Sequence, residues 1–179
     1  MYYRIIDQDI KVFLSIPKFA DELFSLTDKN RNFLRKWLPW LDSIKTKDDT
    51  KKFIILQLEK FSKGEALHQS IFYKENIVGV LGFNSIENGV GVIGYWLDKE
   101  HENLGIMTKC VKELIKLGFE YLELKKVEIH CATHNKKSQA IPKRLGFKEE
   151  KNLKKDAEKL EGVYYDQIIY SLKRDALVF

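Results

Sequence analysis

The chain has 179 residues, 44% apolar and 32% charged, with ten glycines and three prolines, which fits one folded domain over residues 1–179 and excludes a disordered or collagen-like chain. A formal net charge of +5 favours anionic partners, but the lysines are interleaved with glutamates, as in LKKDAEKLEG, so direct nucleic-acid binding is disfavoured. No stretch nears the roughly 20 apolar residues that span a bilayer, and Cys110 and Cys131 are too few for a disulfide framework; a cytoplasmic location, no membrane partner, no metal and two buried, reduced thiols are expected.

Residues 9–16 alternate apolar and polar and predict a strand. Pro17 can open a helix because it needs no N–H acceptor in the first turn, and Phe19, Leu23, Phe24 and Leu26 follow at helical spacing. A second helix is expected over about 48–62, with Asp48, Asp49 and Thr50 suited to its start. The period then changes. HQSIFYKENIVGVLGFNSIENGVGVIGYWL reads as three strands in an antiparallel meander, broken at Lys74 to Asn76 and at Glu87 to Gly89, the latter because Asn-Gly tolerates positive φ. A long helix near 104–121, a strand at 126–133, a shorter helix near 136–145 and closing strands at 147–150 and 163–172 complete the pattern.

In the long helix, Ile106, Cys110, Leu114, Leu117 and Tyr121 share one apolar face, which belongs to the core. Its start holds Gly105 where a serine or aspartate cap would be ordinary. The first turn of a helix has N–H groups without intrahelical acceptors, and glycine lets a ligand approach them, so this turn suits a phosphate or only a tight connection. Gly94 interrupts the β-branched and aromatic run VGVIGYWL, where glycine marks a bulge or a close backbone approach.

IGYWL (93–97), ENLGIMTK (102–109) and NKKSQAIPKRLGF (135–147) stand in an order that resembles the GNAT acyltransferase superfamily. More narrowly the chain is similar to the Rim-type branch, which acetylates N-terminal α-amino groups of ribosomal proteins. FLRKWLPWL (33–41) resembles that branch's substrate-side helices. The resemblance implies an α+β fold in α/β/α layers: a GNAT-like mixed, mostly antiparallel central sheet, splayed between strands 4 and 5 and flanked by helices. Acetyl-CoA would lie in the cleft. It implies that the pantetheine arm pairs with backbone at Tyr95, Trp96 and Leu97, and that the diphosphate sits on the amides of Asn103, Leu104, Gly105, Ile106, Met107 and Thr108. A cofactor phosphate would then cap the helix.

The implied reaction is direct attack by a primary amine on the thioester in a ternary complex. Backbone N–H near Trp96 and Leu97 would stabilise the oxyanion, and Ser138 would hydrogen-bond or protonate the leaving thiolate. Asn135 would hold CoA or its loop, unless it is a plain helix cap. Lys136, Lys137 and Lys143 are candidates for the 3′-phosphate. Glu158 matches an acidic position of the branch and is the candidate base, with His130 and His134 as histidines in reach of the same chemistry. Trp37, Pro39 and Trp40 would wall the acceptor pocket. The acceptor is expected to be a protein N-terminus or a small amine, and a homodimer is left open.

Three departures stand out. The pattern Q/R-x-x-G-x-G/A falls on Glu102 to Met107 with only the central glycine agreeing, Pro142 replaces the tyrosine of many members, and Val92 replaces a strand glutamate. They motivate the alternative of a degenerate acyl-CoA-binding protein without catalysis.

Overall fold

The periodicities resolve, in the computed structural model, which describes residues 3–151, 153–160 and 162–176, into strands and helices that alternate along the chain. The first half contains β1 (Tyr3–Ile5), β2 (Ile10–Leu14), α1 (Ala20–Lys29), α2 (Arg31–Leu34), α3 (Lys47–Ser62), β3 (Leu67–Tyr73), β4 (Asn76–Glu87) and β5 (Val90–Leu97). The second contains α4 (Ile106–Glu120), β6 (Lys126–Ala132), α5 (Lys136–Arg144), β7 (Lys148–Glu149), β8 (Lys154–Leu160) and β9 (Val163–Lys173). No helix among the described residues is long and apolar enough to cross a membrane.

The strands form one sheet in the order β1-β2-β3-β4-β5-β6-β9-β7, with β8 also on β9. Every pairing is antiparallel except β5 with β6, which is parallel and bridged by α4, as a parallel pair requires a crossover. That pairing is short. It runs from Val90 opposite Lys126 to Ile93 opposite Ile129, although both strands continue beyond it. The sheet therefore opens between the strands expected to part; they are β5 and β6 because the sequence reading missed β1, whose three residues are too few to show a period.

Two apolar layers cover the two faces. On one, Val111, Leu114, Ile115 and Phe119 of α4 pack on Val127, Ile129 and Cys131 of β6. On the other, Leu23, Leu34, Leu41 and Ile54 pack on Val80 and Trp96. Each fully buried side chain of this kind contributes about 1.5–3 kcal/mol.

Both tight turns were legible: Asn88 and Gly89 have φ of 52° and 77°, and Lys74 and Glu75 also take positive φ. α3 begins one residue earlier than expected, capped by Thr46 in a capping box with Asp49. The helix after Pro17 is broken at Asn30, whose φ of −96° and ψ of 5° leave the helical region and whose side-chain amide donates to Leu26 O at 3.0 Å. Tyr121 does not share the buried face of α4. The helix stops at Glu120, and Tyr121 is 72% exposed beyond its end. β8 was also missed, because its charged sequence reads as a solvated face.

Gly94 carries no bulge. The register shift lies across from it in β4, between Phe83 and Ser85, and expels Asn84. A Cβ on Gly94 would lie 2.3 Å from the Asn84 carboxamide, so the glycine makes room for that side chain.

Candidate active site

The loop before α4 turns on Gly105, which has φ 74° and ψ 0° and so takes the left-handed conformation that glycine reaches without strain. No side chain caps the helix, and among the described residues no acceptor receives the N–H of Asn103, Leu104, Gly105, Ile106, Met107 or Thr108. A Cβ on Gly105 would meet nothing within 4 Å, so no other part of the protein crowds the turn at that residue. Of these residues, all but Leu104 line a cavity of about 690 Å³.

The charges around the turn pair off among themselves. Glu102, which would repel an anion, is paired with Lys137 at 2.6 Å, and Glu100 with Lys29 at 2.6 Å. Lys109 holds Asp7 at 2.6 Å, and that hydrogen bond keeps the Asp7 carboxyl below its usual range. Arg144 donates to Thr108 Oγ1 at 2.8 Å and lines the cavity. Lys143 is a correction: it lines neither this cavity nor the next, and its ammonium lies over the Tyr170 ring. Helical spacing held the answer, since Lys137, Ile141 and Arg144 fall on one face of α5 and Lys143 does not. Leu104 is 52% exposed and contributes no lining to the cavity.

The open edge of β5 adds backbone groups. The Asp98 N–H bonds Val78 O at 2.7 Å, and N–H groups alternate sides along a strand. Trp96 therefore turns its N–H towards β4, while Tyr95 and Leu97 turn theirs to the gap. This corrects the expectation that Trp96 supplies a free donor; the residue lines both cavities without offering that N–H.

The second cavity, about 460 Å³, lies on the α1–α3 face of the sheet. Its floor is a row across three strands, His68 opposite Gly82 opposite Gly94, in which two residues have no side chain. Phe53 and Trp40 stack at 6.2 Å on one wall, and Trp37 stacks on His134 at 5.1 Å, which itself meets Tyr165. Burial pushes the His68 imidazole down to about 4, so it is neutral at pH 7.

The two cavities meet at Trp37, Leu38, Tyr95, Trp96, Asn135 and Ser138. There Ser138 Oγ lies 3.2 Å from the Tyr95 hydroxyl and 3.3 Å from Cys131 Sγ. Tyr95 also donates to Ser138 O at 3.1 Å, and burial raises its phenol so that it stays protonated. Asn135 Oδ1 accepts the Ser138 N–H at 3.1 Å, which makes Asn135 the cap of α5 and fixes where Ser138 sits. Glu158 lies on β8 opposite Tyr165, and its side chain is outside the described residues.

The sequence matches the family described as an acetyltransferase (GNAT) domain over residues 14–148. It is 33% identical over 151 residues to a ribosomal-protein-serine acetyltransferase of Escherichia coli K12, covering 83% of this chain and 84% of that one. A solved structure of RimL, a ribosomal L7/L12 α-N-protein acetyltransferase in complex with coenzyme A, superposes with a TM-score of 0.93 at 28% identity, over 98% of this chain and 99% of that one. The microcin C7 self-immunity acetyltransferase MccE, in complex with acetyl-CoA and AMP, gives 0.87 at 32% identity over 94% of each chain.

Proposed function

The chain belongs to the GNAT acetyltransferases, and from that premise we propose that it moves the acetyl group of acetyl-CoA to the α-amino group of a protein N-terminus, with a ribosomal protein as the favoured acceptor. The observation that carries the reading is the run of amides from Asn103 to Thr108, without acceptors among the described residues and open to a 690 Å³ cavity. Such a set at the positive end of α4 suits a diphosphate, and Lys137 and Arg144 add cations beside it. The β5 edge, released from β6 beyond Ile93, suits an arm that carries amide groups.

When bound, acetyl-CoA supplies a thioester, an acetyl group already activated for transfer to an amine. The N–H groups of Tyr95 and Leu97 face the gap and donate to the charge that builds on the acetyl oxygen. Ser138 Oγ protonates the departing sulfur, with the Tyr95 hydroxyl as its neighbour in the proton path. Asn135, as the cap of α5, keeps Ser138 at the junction. The acceptor amine enters through the second cavity, between Trp37 and Trp40.

A small aromatic-bearing amine is the second reading, favoured by the stacked pairs Trp37–His134 and Trp40–Phe53 in the acceptor cavity. Release of coenzyme A, measured over a panel of ribosomal N-terminal peptides and small primary amines, decides between them. Turnover on peptides is expected. Turnover confined to small amines would replace the protein acceptor, and tight coenzyme binding without turnover on any amine would overturn both.

A further inference from the structure

β6 carries a dyad that the chemistry above leaves unused. Glu128 and His130 are two residues apart on one strand, so their side chains leave the same face, the one that holds Gly94 and the second cavity. Glu128 Oε2 lies 2.8 Å from His130 Nε2, while Glu128 Oε1 accepts from Lys126 Nζ at 2.6 Å. Burial pushes the Glu128 carboxyl up, but the hydrogen bonds from Lys126 and His130 outweigh it and hold the group below the usual carboxylate range.

An ionised carboxylate only accepts, so in the neutral ring the proton sits on Nε2 and the lone pair on Nδ1. Nδ1 has no hydrogen-bond partner among the described residues, and it is not among the unpartnered atoms sealed in the interior. His130 lines the acceptor cavity. Its position in the sheet is decisive. Ile93 opposite Ile129 is the last β5–β6 pair, so His130 is the first residue of β6 past the point where the strands part. Beside it on β5 stands Gly94, with the Asn84 carboxamide against the glycine, and the next residue of β6, Cys131, touches Ser138.

We propose that His130 is the catalytic base of the transfer and that Glu128 is its positioning residue; the inference rests on the amine-acceptor reading above. The acceptor enters as an α-ammonium and loses one proton to His130 Nδ1. The electron pair this exposes on nitrogen forms the bond to the acetyl carbonyl carbon while the carbon–sulfur bond breaks, its electron pair leaving with sulfur. The second proton that nitrogen loses is matched by the one Ser138 delivers to sulfur, giving amide, thiol and one proton that His130 returns to water. The charged and titratable groups around the ring are Glu128 and Lys126 on its own strand and Lys154 of β8 and His68 of β3 in the cavity wall. β9 presents Ile169 opposite it.

The test compares wild type with His130→Gln, His130→Ala, Glu128→Gln and Glu158→Gln on the best peptide acceptor. His130→Gln is expected to lower kcat/KM about 100-fold at pH 7, the lower end of what a positioned base contributes. The deficit should close as pH rises through the α-amino range of about 7.7–8.0, where the acceptor needs no base. Imidazole in solution should restore His130→Ala, coenzyme affinity by calorimetry should be unchanged in both His130 variants, and Glu128→Gln should lose about tenfold, as positioning partners do. Independently of activity, ¹⁵N NMR of the ligand-free protein, followed to the pH at which the ring is neutral, should show the His130 tautomer with its proton on Nε2, and Glu128→Gln should disturb that tautomer. A His130→Gln enzyme within threefold of wild type at every pH, an Nδ1–H tautomer, or a pH limb removed by Glu158→Gln and untouched at His130 would overturn the proposal. Wild type inert on every amine would strike the acceptor reading, while the tautomer still judges the dyad.

Discussion

The two cavities share Tyr95, Trp96 and Ser138 yet are built in opposite ways. The one before α4 presents its polar groups as main-chain N–H donors of one short turn, Asn103 to Thr108, held by a left-handed glycine. The acceptor cavity draws on residues of α1, α3, β3 to β6, α5, β8, β9 and the loop around Trp37, short runs brought together from distant parts of the chain. A site made of backbone tolerates changes in side chain: Met107 and Glu102 can stand in place of a small residue and a polar one because neither side chain has to do the binding. A site made of side chains changes its acceptor with each substitution.

This contrast can be broken most sharply at Gly105. Valine there meets no other part of the protein within 4 Å of its Cβ but is strained on a backbone with φ 74°, so it disturbs the turn that presents the amides. Gly105→Val is expected to weaken coenzyme binding about 100-fold, or about 2.7 kcal/mol, by calorimetry. Substituting the exposed neighbour Leu104 by Ala should leave that affinity within a factor of about two, since surface changes of this kind stay within about 0.5 kcal/mol.

Gly94 tests the opposite case, a glycine whose reason is a side chain. Gly94→Ala forces a Cβ to 2.3 Å from the Asn84 carboxamide and is expected to cost about 1–3 kcal/mol of stability in denaturant titration. Combining it with Asn84→Ala should recover much of the loss, whereas no recovery would mean that backbone conformation alone requires the glycine.

His68 gives the acceptor side a pH signature. Its folded value near 4 lies below the unfolded value near 6.5, so the unfolded chain binds more protons between them and stability falls as pH drops through that window. With the ring partly reachable by water, a loss of about 2 kcal/mol from pH 7 to pH 4 is expected, and His68→Phe should flatten it. The smallest effect belongs to Arg144. Arg144→Gln should weaken coenzyme binding by about threefold and lower its salt dependence, because exposed charges are screened.

The same contrast governs what the sequence disclosed. The meander, its Asn88–Gly89 turn and the start of α4 depend on neighbours in the chain, and period and turn chemistry exposed them. Gly105 was readable as a ligand-facing turn because the absence of a cap is itself local. Asn84 was not, since the bulge that expels it arises from pairing with β5. The Glu128–His130 dyad was hidden for a related reason: spacing of two puts them on one strand face, but only the parting of β5 from β6 at Ile93 brings that face to the cavity. Trp96 showed the limit of reading a strand without its ladder, because which N–H groups are free depends on the partner's register.

The most direct test of the central claim is amide NMR of the protein titrated with coenzyme A. The account predicts that the N–H resonances of Asn103 to Thr108 shift and become protected from exchange as the coenzyme binds, with Leu97 and Tyr95 following. Saturation of the protein with coenzyme while those six amides keep their free shifts and exchange rates would contradict it.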